Sequence, residues 1–231
     1  LTATALGVDL LVHYGHSCLV PMNTTSGIKV LYVFVDIKID YLHFVKTLKL
    51  NFTKDVRFGL VSTIQFVSTL HGVAKELKED GYTVNIPQFK PLSAGEILGC
   101  TAPVLNCCDI VIYLGDGRFH LEAAMIANPK LRAYRYDPYS KSMTEEFYEH
   151  ELMRKIRKQS IDNAKSCEKF GVIMGTLGRQ GNIKVVENLR KRLEECNKKT
   201  TVILLSEIFP AKLDLFNDLD AFVQIACPRL S

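Results

Sequence analysis

Two hydrophobic periods alternate along this chain. Short continuous apolar runs, such as Leu10–Val12, Ile110–Ile112 and Val223–Ala226, read as buried strands. Longer stretches carry apolar residues every three or four positions. VSTLHGVAKELKEDG (67–81), NIKVVENLRKRLEEC (182–196) and the charged SMTEEFYEHELMRKIRKQSIDNAK (142–165) read as amphipathic helices, the last as a solvated connector. Further strands are expected in YTVNIP (82–87) and TTVILL (200–205). Strands alternating with helices require right-handed crossovers, so the sheets are expected to be parallel.

The pattern repeats. GVDLLVHYGHS (7–17) matches CCDIVIYLGDG (107–117), aligning Asp9 with Asp109 and Gly15 with Gly115 at an offset of 100. IKVLYVFVDIKID (28–40) then aligns with PKLRAYRYDPYSK (129–141), setting Asp36 against Asp137. Each copy reads strand, glycine turn, strand, helix. Downstream, RFGLVSTIQF (57–66) matches KFGVIMGTLG (169–178), and both continue through a helix and a strand to a cysteine, in GEILGCTAP and FVQIACPRL. On this alignment Cys100 and Cys227 hold equivalent places. The expected fold is α/β: three similar domains with mainly parallel sheets and flanking helices, the first and third truncated. The first domain's C-terminal part takes 1–54, the second domain 55–160, and the N-terminal part of the third 161–231. The counterpart of Cys100 in the first copy is expected at or just before Leu1.

Composition narrows the chemistry. Of 231 residues, 47% are hydrophobic and 23% charged, which supports packed cores and excludes a disordered chain. The net charge of +4 is mild, and basic residues such as Arg190, Lys191 and Arg192 are not interleaved with aromatics, so no nucleic-acid surface is indicated. No apolar run reaches spanning length and no secretory leader opens the sequence, so a cytoplasmic location is expected. Seven unevenly spaced cysteines suit a reducing compartment rather than a disulfide framework.

Three equivalent thiolates meeting at one point would suit a four-iron, four-sulfur cluster with one open iron. Cys100 and Cys227 would serve equally as buried core thiols. Small residues and proline flank both, and strand carboxyl ends are where open α/β sheets bind ligands. GTLGRQGN (175–182) is a strand-to-helix turn whose amides, with Arg179, suit a carboxylate or another anion; a plain tight turn reads the same way. LGDGRFHLEA (114–123) is a similar turn. Asp116 is expected to pair with Arg118, and His120 either faces the cavity or is structural. In HYGHSC, His13, His16 and Cys18 lie on one strand edge and alternate between its faces, which argues against zinc. Cys107, Cys108, Cys167 and Cys196 are expected to pack.

The segments ALGVDLLVHYGHSCL, VLYVFVDIKID, GDGRFHLEA, YDPY, GTLGRQGN, SEIFP and ACPRLS, in this order over the whole chain, closely resemble the diphthamide-synthesis enzymes, the 2-(3-amino-3-carboxypropyl)histidine synthases, in their first-subunit eukaryotic form. The resemblance implies three α/β domains around a central 4Fe-4S cluster, with one cysteine from each. Cys100 and Cys227 match the second and third; the first would precede Leu1. It implies transfer of the 3-amino-3-carboxypropyl group from S-adenosylmethionine to a histidine of translation elongation factor 2 by a non-classical radical route. Gly178, Arg179, Gln180, Gly181, Gly115, Asp116, Gly117 and His16 would line the co-substrate site. Implied partners are elongation factor 2, a homologous second subunit or a second copy, and a small electron-donor protein, with no nucleic acid and no membrane. Two other readings stay open: a non-catalytic or electron-transfer subunit of the same complex, and a metal-free α/β small-ligand binder.

Overall fold

Branched and aromatic residues crowd the apolar runs, and in the computed structural model, which describes residues 3, 6–15, 28–90, 92–99, 101–176 and 181–226, these runs are strands. They are β1 (Leu10–Tyr14), β2 (Lys29–Val33), β3 (Arg57–Ser62), β4 (Thr83–Asn85), β5 (Ile110–Leu114), β6 (Arg132–Asp137), β7 (Ser142–Glu146), β8 (Lys169–Gly175), β9 (Lys199–Leu205) and β10 (Ala221–Ile225). The helices are α1 (Tyr41–Asn51), α2 (Val67–Glu79), α3 (Phe119–Ala127), α4 (His150–Ala164), α5 (Ile183–Glu195) and the single turn α6 (Pro210–Leu213). Three sheets result, ordered β1-β2, β4-β3-β5-β6-β7 and β10-β8-β9. Among the described residues, every pairing between these named strands is parallel except β6 with β7. By contacts the chain divides once, into Leu1–Tyr148 and Glu149–Ser231.

The first unit is built on the five-stranded sheet. Alternation along β5 turns Ile110, Ile112 and Leu114 to one face, where they pack with Phe44, Val45 and Leu48 of α1 and Leu70, Val73 and Leu77 of α2. Val111 and Tyr113 turn to the other face, against Leu121, Ala124 and Met125 of α3 and against Ile97 and Leu105. A central parallel strand covered on both faces is what a continuous apolar run signals. In the second unit, the buried side chains Phe170, Val172 and Ile173 of β8 carry the core, with Val186 of α5 and Ile203 of β9.

The α/β class, parallel sheets and flanking helices agree with the reading of the sequence. Four particulars do not. In the second copy a helix, α3, stands between the glycine turn and the next strand. The run 142–146 is not helix but β7: Asp137 Oδ1 accepts the N–H of Tyr139 (2.9 Å) and Ser140 (3.2 Å), Lys141 takes φ +54°, and the chain turns back antiparallel. Glu145 and Glu146 then meet Arg132 (2.9 Å) and Arg135 (3.3 Å) across the hairpin.

The remaining two concern register. Leu10 pairs with Lys29 and Ile110 with Arg132, so Lys29 matches Arg132 and Asp137 falls opposite Phe34, two residues from the alignment with Asp36. Finally, β8, β9 and β10 repeat the order and pairing of β3, β4 and β5, with Phe58–Ile110 matching Phe170–Ala221. Cys227 comes two residues after β10, at the place of Asp116 beyond β5, whereas Cys100 precedes β5. The two cysteines therefore do not hold equivalent places in the repeat.

Candidate active site at the sheet carboxyl ends

The strand β3 ends on a buried polar residue, Ser62, and a second, Thr63, follows it directly. The segment 92–99 is tied to this end. Ser62 N–H donates to Gly95 O (2.8 Å), and Ile97 N–H donates back to Ser62 O (2.9 Å), making Glu96 the parallel neighbour of Ser62. Gly95 takes φ +86°, and a Cβ there would lie 2.5 Å from Leu70 Cδ2 and 2.9 Å from Ile86 Cγ2, so glycine is required twice over. Glu96 is 1% exposed. Its Oε2 accepts the N–H of Ser93 at 3.0 Å. Leu98 and Thr101 exchange backbone hydrogen bonds of 3.3 and 3.2 Å. Ser62 Oγ, Glu96 Oε1 and Thr101 Oγ1 are buried polar atoms without a hydrogen-bond partner. Such atoms are rare in folded proteins, and these three belong to the segments at the carboxyl end of β3.

The turn after β5 lies at the same edge, since Ser62 pairs with Leu114. A Cβ on Gly115 would stand 2.6 Å from Tyr113 Oη, and Gly117 takes φ +64°. Tyr113 is buried, its phenol pushed well above its ordinary pKa by that burial, and Oη donates to Asp116 O at 3.5 Å. The expected Asp116–Arg118 pair is not made. Arg118 instead meets Glu122 (3.3 Å) and Glu146 (3.2 Å) and donates to Phe147 O (2.8 Å), because the first turn of α3 carries it toward β7. His120 sits edge-on to Phe119, ring centroids 5.3 Å apart. The Phe119 ring lies directly over Gly99, where a Cβ would be 2.1 Å from Cε1.

In the second unit, Thr176 N–H donates to Leu205 O (2.9 Å) as the chain leaves β8. Gly181 returns against the strand end: its Cβ would lie 2.4 Å from Gly175 O and 2.5 Å from Met174 Cγ. Asn182 then caps α5, its Oδ1 accepting the N–H of Lys184 (3.0 Å) and Val185 (3.4 Å). At β1, Gly15 N–H donates to Val33 O (3.2 Å), as Gly115 does to Tyr136 O (3.1 Å), so the two glycine turns match. His13 packs edge-on to Tyr32 at 5.4 Å.

Of the sequence-derived site residues, Gly115, Asp116, Gly117 and Gly181 stand at strand carboxyl ends. Cys100, Cys227, Gly178, Arg179, Gln180, His16 and also Cys18 lie outside the described residues. Cys108 packs in the core, its thiol raised by burial, whereas Cys107 and Cys196 are exposed and Cys167 half-buried. The sequence reading missed Ser62, Thr63, Glu96 and Thr101. Their signal was polar residues interrupting apolar runs, RFGLV-ST and G-E-IL. The residues next to Cys100 in sequence, Gly99 and Thr101, are small, and among the described residues no group of three or more His, Cys, Asp or Glu side chains gathers that could hold a metal ion.

Among the described residues no helix is long and apolar enough to cross a membrane. The profile of the family described as "Putative diphthamide synthesis protein" matches residues 1–231. The 2-(3-amino-3-carboxypropyl)histidine synthase subunit 1 of Nematostella vectensis is 59% identical, over 100% of this chain and 49% of its own length. That of Homo sapiens is 56% identical, over 100% of this chain and 53% of its own. The chain thus spans about half the length of the curated relatives it matches. The crystal structure of Dph2 from Pyrococcus horikoshii superposes with a TM-score of 0.77 at 24% identity, covering 99% of this chain and 67% of that one. A crystal structure of the same protein with a 4Fe-4S cluster superposes equally, TM-score 0.77 at 24% identity over the same 99% and 67%. With a family match from first residue to last, this chain belongs to the diphthamide synthesis protein family.

Proposed function

We propose that this chain is the cluster-bearing part of a 3-amino-3-carboxypropyl transferase that acts on a histidine of translation elongation factor 2, in the first step of diphthamide synthesis. Cys100 and Cys227 would hold a 4Fe-4S cluster through their thiolates, with the third thiolate from a first-domain cysteine and the fourth iron open. When bound, the cluster supplies the electron that cleaves the Cγ–S bond of S-adenosylmethionine, which frees the aminocarboxypropyl radical for addition to the imidazole ring. The protein's own residues do the rest. Arg179, with the amides of Gly178, Gln180 and Gly181 ahead of α5, receives the methionine carboxylate, because a guanidinium fork and a helix N-terminus both favour an anion. The turn Gly115–Gly117 and His16 line the cavity.

The observation that carries this reading is the stitched segment 92–99, which ends one residue before Cys100 with unpartnered buried polar atoms around it. A homologous subunit or a second copy, a small electron donor and a cytoplasmic setting complete the proposal. The name "subunit 1" borne by the relatives supports a multi-subunit enzyme. The decisive test is made on the full-length protein with its partner. Anaerobic reconstitution with iron and sulfide should give a dithionite-reduced electron paramagnetic resonance signal, and product on elongation factor 2. Cys100→Ala and Cys227→Ala should each abolish product and lower iron content. Undiminished iron and product in both variants would return the two thiols to the core.

A further inference from the structure

We infer that Ser62, Glu96 and Thr101 form a buried site for a small monovalent cation, either a free ion such as potassium or the primary ammonium of the co-substrate; only the second source rests on the function proposed above. Glu96 is 1% exposed and Ser62 is fully buried. A carboxylate withdrawn from water is costly unless it meets a positive charge and hydrogen-bond donors. Glu96 Oε2 accepts the neutral N–H of Ser93 at 3.0 Å. Its Oε1 has no hydrogen-bond partner, nor have Ser62 Oγ and Thr101 Oγ1.

Strand geometry puts the three side chains on one face. Ser62 and Glu96 are parallel neighbours, and paired residues in a sheet project from the same face. Leu98 comes two residues after Glu96 and is the antiparallel neighbour of Thr101. Side chains alternate along an extended chain, so Leu98 and Thr101 share the face of Glu96. The packing agrees: Ile97, between them, enters the core with Val61 and Leu121, whereas Leu98 meets Leu92 instead. The preceding positions on that face of β3, Phe58 and Leu60, are apolar, so the polar group is confined to the strand's carboxyl end, where open α/β sheets bind ligands. The set is chemically selective. Oxygen donors suit a hard cation rather than a metal that prefers nitrogen or sulfur. A single carboxylate balances one positive charge, and each hydroxyl can turn a lone pair to it.

The test reads thermal melts and co-substrate binding on the full-length protein with its partner, with tetramethylammonium chloride, too bulky for the site, holding the ionic strength. If the ligand is a free ion, potassium chloride should raise the melting midpoint saturably before any reconstitution with iron. Glu96→Gln, which keeps the shape and removes the charge, should lose that response. Ser62→Ala should need more potassium for the same shift, and it carries the comparison if Glu96→Gln does not fold. If the ligand is the co-substrate's ammonium, the midpoints should ignore potassium. The reconstituted enzyme should then bind S-adenosylmethionine on the order of 10-fold more tightly than its analogue lacking the amino group, a preference that Glu96→Gln abolishes. A parent protein indifferent both to potassium and to the amino group overturns the inference, as does a response that both substitutions leave intact. Loss of all co-substrate binding in the parent protein overturns the proposed function instead, and the potassium melts alone then decide the site.

Discussion

At the scale of single residues, one aspartate recurs with one task. Asp109 Oδ2 accepts the N–H of Arg57 (2.9 Å), Asp109 N–H returns a bond to Arg57 O (2.9 Å), and the guanidinium closes on Oδ1 (2.6 Å). Asp220 repeats the clamp on Lys169 N–H (2.8 Å) and Lys169 O (2.9 Å). Each aspartate immediately precedes a strand and ties it to the first residue of its parallel neighbour, which sets the register. The Arg57 side chain, and then its N–H, hold Asp109 down to about 2. An unfolded aspartate titrates near 3.9. The clamp's contribution is therefore complete above about pH 4 and is lost as pH falls toward 2. Asp109→Asn should lower the melting temperature at pH 7, and the gap to the parent protein should close between about pH 4 and pH 2. Thermal melts across that range check this; a gap constant with pH would refute it. The pairing of Asp9 with Asp109 was legible as a repeat, but the clamp itself was not, because its partner is main chain 52 residues away.

At the scale of elements, the matched strands β3 and β8 share a glycine at their third position, for one reason. A Cβ on Gly59 would stand 3.1 Å from Cys108 Sγ and from Leu105 Cδ1; one on Gly171 would stand 2.6 Å from Phe222 Cδ1 and 3.0 Å from Leu219 Cδ1. Over Gly59 lies the segment leading into β5; over Gly171 lie Phe222 of β10 itself and Leu219 just before it. The third-sheet site is tighter, so Gly171→Ala should overpack it at a cost of about 1–3 kcal/mol. Hydrogen exchange should show lost protection in β8 and β10 with β3 and β5 unchanged; uniform loss in both sheets would mean the glycine has no local role. The period of apolar residues found α2, α5 and most strands. It mistook β7 for the start of α4, since SMTEE has no strong period of its own and becomes a strand only by pairing with β6. It also passed over α3, nine residues nearly uniform in hydrophobicity and hence without an amphipathic stripe.

At the scale of the whole molecule, the apolar cores are filled by the chain's own side chains. Both faces of the five-stranded sheet are packed by α1, α2 and α3, and β8 is buried within its own unit. Stripping iron from the reconstituted full-length enzyme should therefore remove the visible absorbance and leave the far-ultraviolet circular dichroism in place, unlike a domain whose folding energy is its metal. Collapse of the dichroism on chelation would show that the cluster carries the fold. By itself, the sequence determined the alternation of strands and helices, the parallel α/β class, the repeat, the matched turns at Gly15 and Gly115, and the family. Each follows from local residue order and apolar period. Only the tertiary structure decided the rest: the two-residue shift that sets Phe34 against Asp137, the different places of Cys100 and Cys227 in the repeat, the packing of α1 on the sheet that follows it, and the buried polar end of β3. These depend on which distant segments share a sheet edge or a core face, and strand register and burial are properties of pairs that no single stretch of chain contains.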